Sequence, residues 1–497
     1  MKYFLGIDNG GTVTKAALFD QTGREIAVAS RDTPVLTPQA GWNERDMEEL
    51  WQTNVTCIRE VLHVSGIPAK QIAGVGCTGH GKGLYLWGKD GKPAYHGIAS
   101  TDRRASYIVD QWERDGTVAL AYRQTLQPVL ACQPVALLRW MQENKPDILE
   151  RVQWVFECKD YIRFRLTGVA LAEETDYSGT CLMDLTTRCF DRELLKVFGL
   201  EKLYGCLPPL CKAWDHCGSI SAQAAAFTGL EEGTTVCGGM FDIDACAVAV
   251  GVTQPQDLCM ITGTWSINEY PSPKPVLAEV TTKNSLFCLP ELYLIEESSP
   301  TSAGNLDWVL DRFMKKEKEQ IQADGVNFYQ WVDQTVKALP TEECDVLYLP
   351  FLYGTGTSVK NAALVGLSNS HTQAHILRAV FEGVAFSHRM HLEKLLHHRP
   401  EPKTVRLAGG AARSQVWGQI FADVLQLPVE IVDAKELGTL GCAMAASVAA
   451  GVYADAYSAV KAMMPRTRVL MPDTSKAAVY KKKYLRYERL CACLEEF

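Results

Sequence analysis

The chain has 497 residues, of which 47% are apolar and 22% charged, a composition typical of globular proteins that excludes a disordered or fibrous chain. Its length predicts about two to four domains. The 50 Lys and Arg residues against 58 Asp and Glu leave a net charge of −8, which argues against a main role in wrapping nucleic acid or coating an anionic membrane.

The 17 cysteines are odd in number and spread over a long chain, without the paired Cys-x-x-Cys spacing of a zinc site. We therefore expect reduced thiols that act as small core residues. The first residues lack the apolar stretch of a signal peptide, and no run of 18 apolar residues follows. These features predict a cytoplasmic protein with neither a membrane nor a nucleic acid as partner.

Strands and helices alternate at the start of the chain. The pattern predicts strands at Tyr3–Asp8, Val13–Asp20, Glu25–Ser30 and Gln71–Gly76, with a helix from Asp46 to about Val64. Asp46 is a suitable N-cap for that helix, and Glu49 three residues later completes a capping box. Alternation of this kind indicates an α/β protein.

A second strand–turn–strand unit follows halfway along the chain, where Leu258–Ile261 leads into a turn containing Gly263 and Thr264. The repeat of this plan predicts two similar halves, residues 1–250 and 251–497. Later, the strand Val405–Ala408 leads through a glycine turn into a helix at Val416–Leu425.

The tip between the first two strands carries a carboxylate, glycines, hydroxyls and a lysine, contributed by Asp8, Gly10, Gly11, Thr12, Thr14 and Lys15. Glycines let backbone N–H groups approach phosphate oxygens, and a carboxylate can hold Mg²⁺ directly or through water. The tip is therefore a candidate phosphate and magnesium site. An ordinary solvated hairpin is the alternative.

The segment Gly74–Gly83 matches G-x-G-x-x-G and comes close to a P-loop. Both of these motifs need a helix directly afterwards, whereas Leu84–Trp87 has a strand pattern, so we set them aside. We favour a close-approach loop that presents His80 and Lys82, with a plain structural hairpin as the alternative.

Two acids, Asp242 and Asp244, follow the Gly238–Gly239 turn and precede a run of small apolar residues. They suit either helix capping or a general base that activates a hydroxyl. The histidines around His388 and His391 are interpreted as packing or surface residues, with a metal site as the alternative. The basic stretch Lys481–Tyr487 is interpreted as a solvated helix face.

Taken in order, these segments resemble the FGGY family of carbohydrate kinases, within the actin, hexokinase and Hsp70 superfamily. The resemblance covers essentially the whole chain. One family signature departs from the usual pattern, because Leu137 replaces a lysine. The motifs that carry the resemblance are Gly6–Lys15, Gly41–Trp51, Pro134–Trp140, Ala362–Glu382 and Gly409–Trp417.

The resemblance implies an α/β protein of two actin-like (ribonuclease H-like) domains with a cleft between them, using ATP and Mg²⁺. It implies that Asp242 is the catalytic base and that Asp8 lies near the magnesium. The implied ATP-binding residues are Gly11, Thr12, Thr14, Lys15, Gly263, Thr264, Gly304, Gly410 and Ser414. The implied sugar-binding residues are His80, Gly81, Lys82, Asp102 and Arg103, with Asp244 as a neighbour of the base.

Within the family, the motifs at Gly81–Leu84, Thr101–Arg104 and Ser299–Asn305 are most similar to those of L-xylulose kinases. This similarity implies phosphorylation of L-xylulose at its terminal hydroxyl. Alternatives are another pentulose, a polyol or a sugar acid, such as D-xylulose, erythritol, 3-keto-L-gulonate or gluconate. An actin-like ATPase scaffold without sugar chemistry is the alternative from another class. A homodimer is the default assembly for such a family.

Overall fold

A computed structural model describes residues 1–263, 265–277, 283–352, 354, 361–432 and 434–494. The chain divides into two units, each assembled from several segments. The first unit comprises Met1–Thr253, Ser272–Ile295 and Glu436–Pro465, and the second comprises Gln254–Pro271, Glu296–Lys435 and Arg466–Phe497. The division into domains at residues 1–250 and 251–497 stays a prediction.

The strands of the described residues are short to medium in length and follow the chain from end to end. In chain order they are β1 (Tyr3–Asn9), β2 (Val13–Asp20), β3 (Glu25–Asp32), β4 (Glu44–Arg45), β5 (Ile72–Gly79), β6 (Tyr85–Gly88), β7 (Gly97–Ile98), β8 (Val152–Phe156), β9 (Ala172–Glu173), β10 (Met183–Asp184), β11 (Cys189–Phe190), β12 (Leu210–Cys211), β13 (His216–Ser219), β14 (Thr235–Cys237), β15 (Cys259–Thr262), β16 (Ser266–Ser272), β17 (Lys283–Leu286), β18 (Tyr293–Ser299), β19 (Leu347–Leu349), β20 (Ala363–Val365), β21 (Val405–Gly409), β22 (Val429–Val432) and β23 (Thr467–Leu470).

The helices alternate with these strands. They are α1 (Met47–Ser65), α2 (Ser106–Arg114), α3 (Thr117–Thr125), α4 (Pro134–Asn144), α5 (Pro146–Glu150), α6 (Cys158–Thr167), α7 (Glu174–Tyr177), α8 (Arg192–Val197), α9 (Ala222–Thr228), α10 (Asp242–Ala249), α11 (Gly304–Phe313), α12 (Lys315–Ala323), α13 (Phe328–Ala338), α14 (Gln373–Leu396), α15 (Gln415–Leu425), α16 (Leu437–Ala449), α17 (Ala456–Met463) and α18 (Ala477–Leu494).

The first unit is built on a six-stranded sheet in the order β13-β14-β5-β1-β2-β3. Strand β1 pairs antiparallel with β2 and parallel with β5, which brings Asp8 opposite both Lys15 and Thr78. Helix α1 packs on β2 and β3. Its first turn is capped by the side chain of Asp46, which accepts from the backbone N–H groups of Glu48 and Glu49. The predicted N-cap of this helix is confirmed.

Helix α16 packs directly on the backbone of β1 and β5. A Cβ at Gly6 would lie 1.9 Å from the carbonyl oxygen of Thr439, and one at Gly76 would lie 2.4 Å from that of Cys442. Because successive strand residues face opposite sides, Gly6 faces α16 while its neighbours Leu5 and Ile7 enter the core with α1. Glycine is therefore required here for space rather than for its backbone conformation.

The second unit contributes six consecutive strands to a sheet, in the order β18-β16-β15-β21-β22-β23. Strand β15 pairs antiparallel with β16 and parallel with β21. Strand β22 is parallel to β21 and antiparallel to β23. In the first unit, β14 is likewise parallel to β5 and antiparallel to β13. Both sheets thus follow the same plan, as the two strand–turn–strand segments predicted.

Helix α14 lies in the core of the second unit and carries two buried charges, Arg378 and Glu382. Glu382 accepts from Arg378 at 2.8 Å and from Lys483 of α18 at 2.7 Å. Lys483 is only 5% exposed, so the prediction that the basic stretch Lys481–Tyr487 is a solvated face is wrong at this residue. A buried carboxylate on another helix attracts this lysine into the core.

The close packing of α16 predicts a large effect for one added methyl group. We expect Gly6→Ala to lower the free energy of unfolding by about 3 kcal/mol or more, because its Cβ meets backbone that cannot move without shifting the whole helix. Urea unfolding measures the change. Gly205→Ala, where a Cβ meets nothing within 4 Å, is the matched control. Equal stability of the two variants would contradict the packing argument.

Candidate functional site

The β1–β2 hairpin forms an exposed tip at Gly11 and Thr12. The tip closes with a 3.0 Å hydrogen bond from the Gly10 N–H to the Val13 carbonyl. Thr14 lies beneath the tip, fully buried, and its hydroxyl bonds to the side chains of Asn9 at 3.3 Å and Thr33 at 2.9 Å. The structure therefore separates Thr14 from the exposed residues of the predicted phosphate site.

Lys15 pairs with Glu436, the residue before α16, at 2.8 Å between Nζ and Oε2. Asp8 lies close to both, at the other side of the hairpin. Burial raises the pKa of Asp8 to about 6; the charge of Lys15 opposes this rise and that of Glu436 adds to it. The pairing of Glu436 with Lys15 could not be predicted from the sequence, because the two residues lie 421 positions apart and no local pattern links them.

The predicted sugar loop lies against Phe241. A Cβ at Gly81 would lie 2.4 Å from the Phe241 ring and 2.8 Å from Oδ1 of Asp176. Lys82 has a left-handed backbone with φ of 64°, and its Nζ lies 5.7 Å from the centroid of the same ring. Since Phe241 precedes Asp242, the structure brings the His80–Lys82 loop to the predicted base.

His80 is buried and shares a 2.9 Å hydrogen bond between its Nε2 and the Tyr85 hydroxyl. Burial, reinforced by the charge of Arg45, lowers the pKa of His80 to about 3. The imidazole is therefore neutral at physiological pH. It serves as a fixed hydrogen-bonding group rather than as a cation.

Asp102 is 2% exposed, and the surrounding protein occupies both of its oxygens. It accepts from the backbone and Nε of Arg104 at 2.9 Å, from Nη2 of Arg104 at 2.9 Å and from the Asn43 N–H at 2.7 Å. Arg104 in turn stacks on Trp42, with its Cζ 4.1 Å from the ring centroid. Asp102 thus holds its loop in shape, whereas Arg103 beside it is exposed.

The two acids after the glycine turn have different surroundings. Asp242 begins α10 and is partly exposed, whereas Asp244 is fully buried. Oδ1 of Asp244 accepts from the Cys288 N–H at 2.8 Å, and burial raises the pKa of this carboxyl well above its ordinary value. Asp242 occupies the N-terminal turn of a helix, where the macrodipole favours a carboxylate.

Neighbouring side chains hold the turn before Asp242 in place. The hydroxyl of Thr78 donates to the Met240 carbonyl at 2.7 Å, and that of Thr175 accepts from the Phe241 N–H at 3.0 Å. Arg163 donates to the Gly238 carbonyl. The acid therefore sits on a fixed backbone rather than on a loose loop.

A buried set of charges lies beneath this turn and was not found from the sequence. Lys159 Nζ lies 3.0 Å from Asp160, 3.2 Å from Glu173 and 3.6 Å from Asp176, with all four side chains fully buried. Burial raises the pKa of Asp176 well above its ordinary value, and nearby acids, Asp242 among them, add to the rise. The charge of Asp242 therefore contributes to the raised pKa of Asp176, a member of this buried set.

In the second unit, the two predicted glycine turns, at Gly263 and Gly410, lie around Thr262 together with the chain before Gly304. The Gly410 N–H donates to the Thr262 carbonyl at 2.7 Å, and a Cβ at Gly410 would lie 2.9 Å from that of Ala303. Gly263 and Gly304 follow Thr262 and Ala303 directly in the chain. Thr264 lies outside the described residues.

Ser414 caps α15 by accepting from the Trp417 N–H at 2.9 Å, and its hydroxyl donates to Asp333 at 2.6 Å. Beside Gly304, helices α11 and α12 line a cavity of about 620 Å³ that includes Asp307 and Trp308. One of the implied nucleotide-binding residues, Gly304, therefore lines a cavity of a size typical of small-molecule sites.

His388 is a core residue whose Nδ1 lies 2.7 Å from Oδ1 of Asn268 and whose Nε2 lies 2.9 Å from Oγ of Ser302. Its interpretation as a packing residue is confirmed. No group of three or more His, Cys, Asp or Glu side chains in the described part of the chain is arranged to hold a metal ion by itself.

The chain matches known proteins over its whole length. It is 37% identical over 504 residues to the L-xylulose/3-keto-L-gulonate kinase of Escherichia coli (strain K12), covering 100% of this chain and 98% of that protein. It is 36% identical to a probable L-xylulose kinase of Pasteurella multocida (strain Pm70), covering 100% and 99%. The crystal structure of xylulose kinase from Rhodospirillum rubrum superposes with a TM-score of 0.86 at 27% identity, covering 100% and 99%.

These similarities define a sugar kinase with the two-domain α/β fold of actin-like ATPases. Residues 3–249 match the N-terminal domain of the FGGY family of carbohydrate kinases, and residues 258–450 match its C-terminal domain. The chain belongs to this family, and it is an ATP-dependent carbohydrate kinase. The predicted family, fold class and enzyme class are confirmed. Among the described helices, none combines the length and the apolar character needed to cross a membrane.

The raised pKa of Asp8 predicts a pH-dependent effect on stability. Because the folded chain keeps this proton up to about pH 6 and the unfolded chain loses it near pH 3.8, ionised Asp8 costs stability at neutral pH. We expect Asp8→Asn to be about 1–3 kcal/mol more stable than the wild type at pH 7.5 and equally stable near pH 4. Urea unfolding at the two pH values measures this, with the exposed Asp110→Asn as control. A difference independent of pH would refute it.

Proposed function

We propose that this chain transfers the γ-phosphoryl group of ATP to the terminal hydroxyl of L-xylulose, giving L-xylulose 5-phosphate. Two relatives that match its full length are named an L-xylulose/3-keto-L-gulonate kinase and a probable L-xylulose kinase. The observation that carries the proposal is the position of Asp242, a partly exposed acid at the start of α10, beside a loop of polar side chains.

In this proposal Asp242 is the catalytic base. It accepts the proton of the sugar hydroxyl as that oxygen attacks the γ-phosphorus in line. Asp244 is less suited to this role, because it is fully buried and burial raises the pKa of its carboxyl, which disfavours the ionised form that a base needs. The fixed turn around Gly238 and Phe241 supports the role of Asp242, since a base must be held within hydrogen-bond reach of its hydroxyl.

The β1–β2 hairpin is the proposed phosphate site. The exposed Gly11 and Thr12 offer backbone N–H groups, and Lys15 offers a cation whose charge is partly balanced by Glu436. Asp8 and Glu436 together fit Mg²⁺, which takes one or two carboxylates beside substrate phosphates and retained waters. The bound ion would neutralise charge on the phosphate oxygens.

We assign the nucleotide to the second unit, with Gly263, Gly304, Gly410 and Ser414 around the adenosine and γ-phosphate. The meeting of the glycine turns at Thr262 supports this assignment, because a backbone without side chains lets a ligand approach closely. Thr264, expected on the γ-phosphate side, remains part of the proposal although it lies outside the described residues.

The proposed sugar contacts are the neutral imidazole of His80, the backbone at Gly81, and the cations Lys82 and Arg103. Asp102 and the buried Asp244 act in this scheme by holding the pocket rather than by reaching the sugar. A sugar acid such as 3-keto-L-gulonate is the second candidate, favoured by Lys82 at the Phe241 ring, because an ammonium group pairs with a carboxylate.

We also propose a cytoplasmic enzyme that forms homodimers. The cytoplasm supplies ATP and keeps thiols reduced, which agrees with the 17 unbridged cysteines. Closed two-fold dimers are the commonest assemblies of soluble proteins. Light scattering during size-exclusion chromatography tests this: a mass of one chain would refute the dimer.

Asp242→Asn tests the base. We expect kcat to fall by about 10² to 10⁴, because the amide cannot accept the proton, while the affinity for ATP stays within about threefold. Steady-state kinetics and calorimetry measure the two effects. Asp244→Asn is the matched control, since it replaces a neighbouring, fully buried acid by a group of the same shape. Loss of turnover in Asp244→Asn with near-normal turnover in Asp242→Asn would reverse the assignment.

A coupled ADP-release assay over a panel of sugars tests the substrate. We expect the highest kcat/KM for L-xylulose among L-xylulose, D-xylulose, erythritol, gluconate and 3-keto-L-gulonate. Lys82→Met separates the two candidates, since loss of the ammonium group should reduce kcat/KM for the sugar acids by about tenfold more than for ketoses. A higher kcat/KM for 3-keto-L-gulonate would make the sugar acid the preferred substrate. ATP turnover unaffected by every sugar would reject the kinase proposal.

A further inference from the structure

Arg45 is a fully buried arginine that donates to the hairpin tip. Its Nη1 donates to the Gly10 carbonyl at 3.1 Å, and its Nη2 donates to the Gly11 carbonyl. The residue lies on β4, which pairs with β7 through Arg45 and Gly97. The guanidinium thus reaches across to two consecutive carbonyl groups of the predicted phosphate hairpin.

These two hydrogen bonds determine where the neighbouring N–H groups point. In a planar trans peptide unit, the C=O and the following N–H point in opposite directions. With the Gly10 and Gly11 carbonyls turned toward Arg45, the N–H groups of Gly11 and Thr12 are turned away from it. Neither N–H has a hydrogen-bond partner among the described residues, and both residues are exposed.

The guanidinium of Arg45 has no ion-pair partner among the described residues. Glu44, the carboxylate next to it in the chain, pairs with Arg104 at 2.8 Å, and Arg45 Nε has no hydrogen-bond partner in the part of the chain that the structure describes. A buried charge without a carboxylate partner disfavours folding, and an apolar side chain would often serve stability better. A stability role therefore does not account for this residue.

We propose that Arg45 is a positioning residue of the phosphate site, which turns the Gly11 and Thr12 N–H groups outward as a pair of donors for phosphate oxygens of the nucleotide. The inference rests on the proposed function for the hairpin as the phosphate site. It assigns a role in phosphate recognition to a residue that does not itself reach the hairpin surface.

The planar fork of arginine suits this role and lysine does not. Two parallel N–H donors are needed to hold two carbonyl groups at once, and a lysine ammonium on a flexible stem holds them less firmly. Arg45→Lys therefore keeps the charge and loses the geometry. Arg45→Met loses both and keeps the approximate volume.

The experiment measures binding of the non-hydrolysable ATP analogue with a β,γ-imido bond, by calorimetry in the absence of sugar. We expect its dissociation constant to rise about tenfold or more in Arg45→Met and at least about threefold in Arg45→Lys. Sugar binding, measured separately, should stay within about twofold. Arg31→Met, which removes an exposed arginine paired with Glu60, is the matched control and should bind the analogue as the wild type does.

Wild-type nucleotide affinity in a folded Arg45→Lys variant would overturn the inference, and this variant decides the question if Arg45→Met fails to fold. A change confined to sugar affinity would also overturn it, because it would mean that Arg45 acts through His80 instead. The sugar panel is independent of this result. If no sugar is phosphorylated but the Arg45 variants still weaken analogue binding, the substrate proposal fails and the positioning role stands.

Discussion

The backbone-to-backbone packing of α16 is the interaction on which the candidate site of the first unit depends. Glycines in β1 and β5 let this helix contact the sheet, and Gly441 lets it approach α10, where a Cβ would lie 2.2 Å from the Ala245 carbonyl. The residue before α16 is Glu436, the partner of Lys15, and the first residue of α10 is Asp242. One helix therefore sets the spacing between the hairpin and the proposed base.

This arrangement makes the geometry of the site depend on steric contact rather than on loops. Backbone atoms in contact at van der Waals distance cannot slide past each other without moving whole elements. The buried charges around Lys159 add a second constraint on the turn before Asp242. Arg163 pairs with Asp160 of this set and also donates to the Gly238 carbonyl of the turn. Buried ion pairs add little net stability, but losing one partner is costly. We interpret these charges as fixing the position of the turn.

Local features of the site could be predicted from the sequence. Short-range rules identified the N-cap at Asp46, the glycine hairpins and the strand after Gly83, because each depends on neighbours within a few residues. The order of these motifs along the chain then predicted the family. The roles of the predicted site residues stay predictions, although the structure brings His80–Lys82 and Phe241–Asp242 together.

The partners that adjust the site could not be predicted, because they come from distant parts of the chain. Glu436 and Arg45 meet the hairpin only after the helices and sheet have assembled, and nothing in their own sequence context indicates it. The burial of Lys483 in the second unit could not be predicted for the same reason. A lysine within a basic stretch predicts a solvated helix face, whereas its partner Glu382 lies on another helix, far away in the sequence.

The proposed phosphate site lies in a chain with a net charge of −8, so local charges around the hairpin must supply the attraction for a polyanion. Lys15 is paired with an acid and Arg45 is buried, so exposed cations supply little of the attraction at the tip. Oriented N–H groups can take their place, and their partial charges do not titrate. Burial raises the pKa of Asp8 to about 6 and lowers that of His80 to about 3, so Asp8 changes its charge near neutral pH and His80 does not. In the proposed phosphate site, the ionised carboxylate of Asp8 would oppose phosphate alone and would attract a divalent cation that accompanies it. The proposal therefore links phosphate binding to the metal through a local carboxylate rather than through the net charge of the chain.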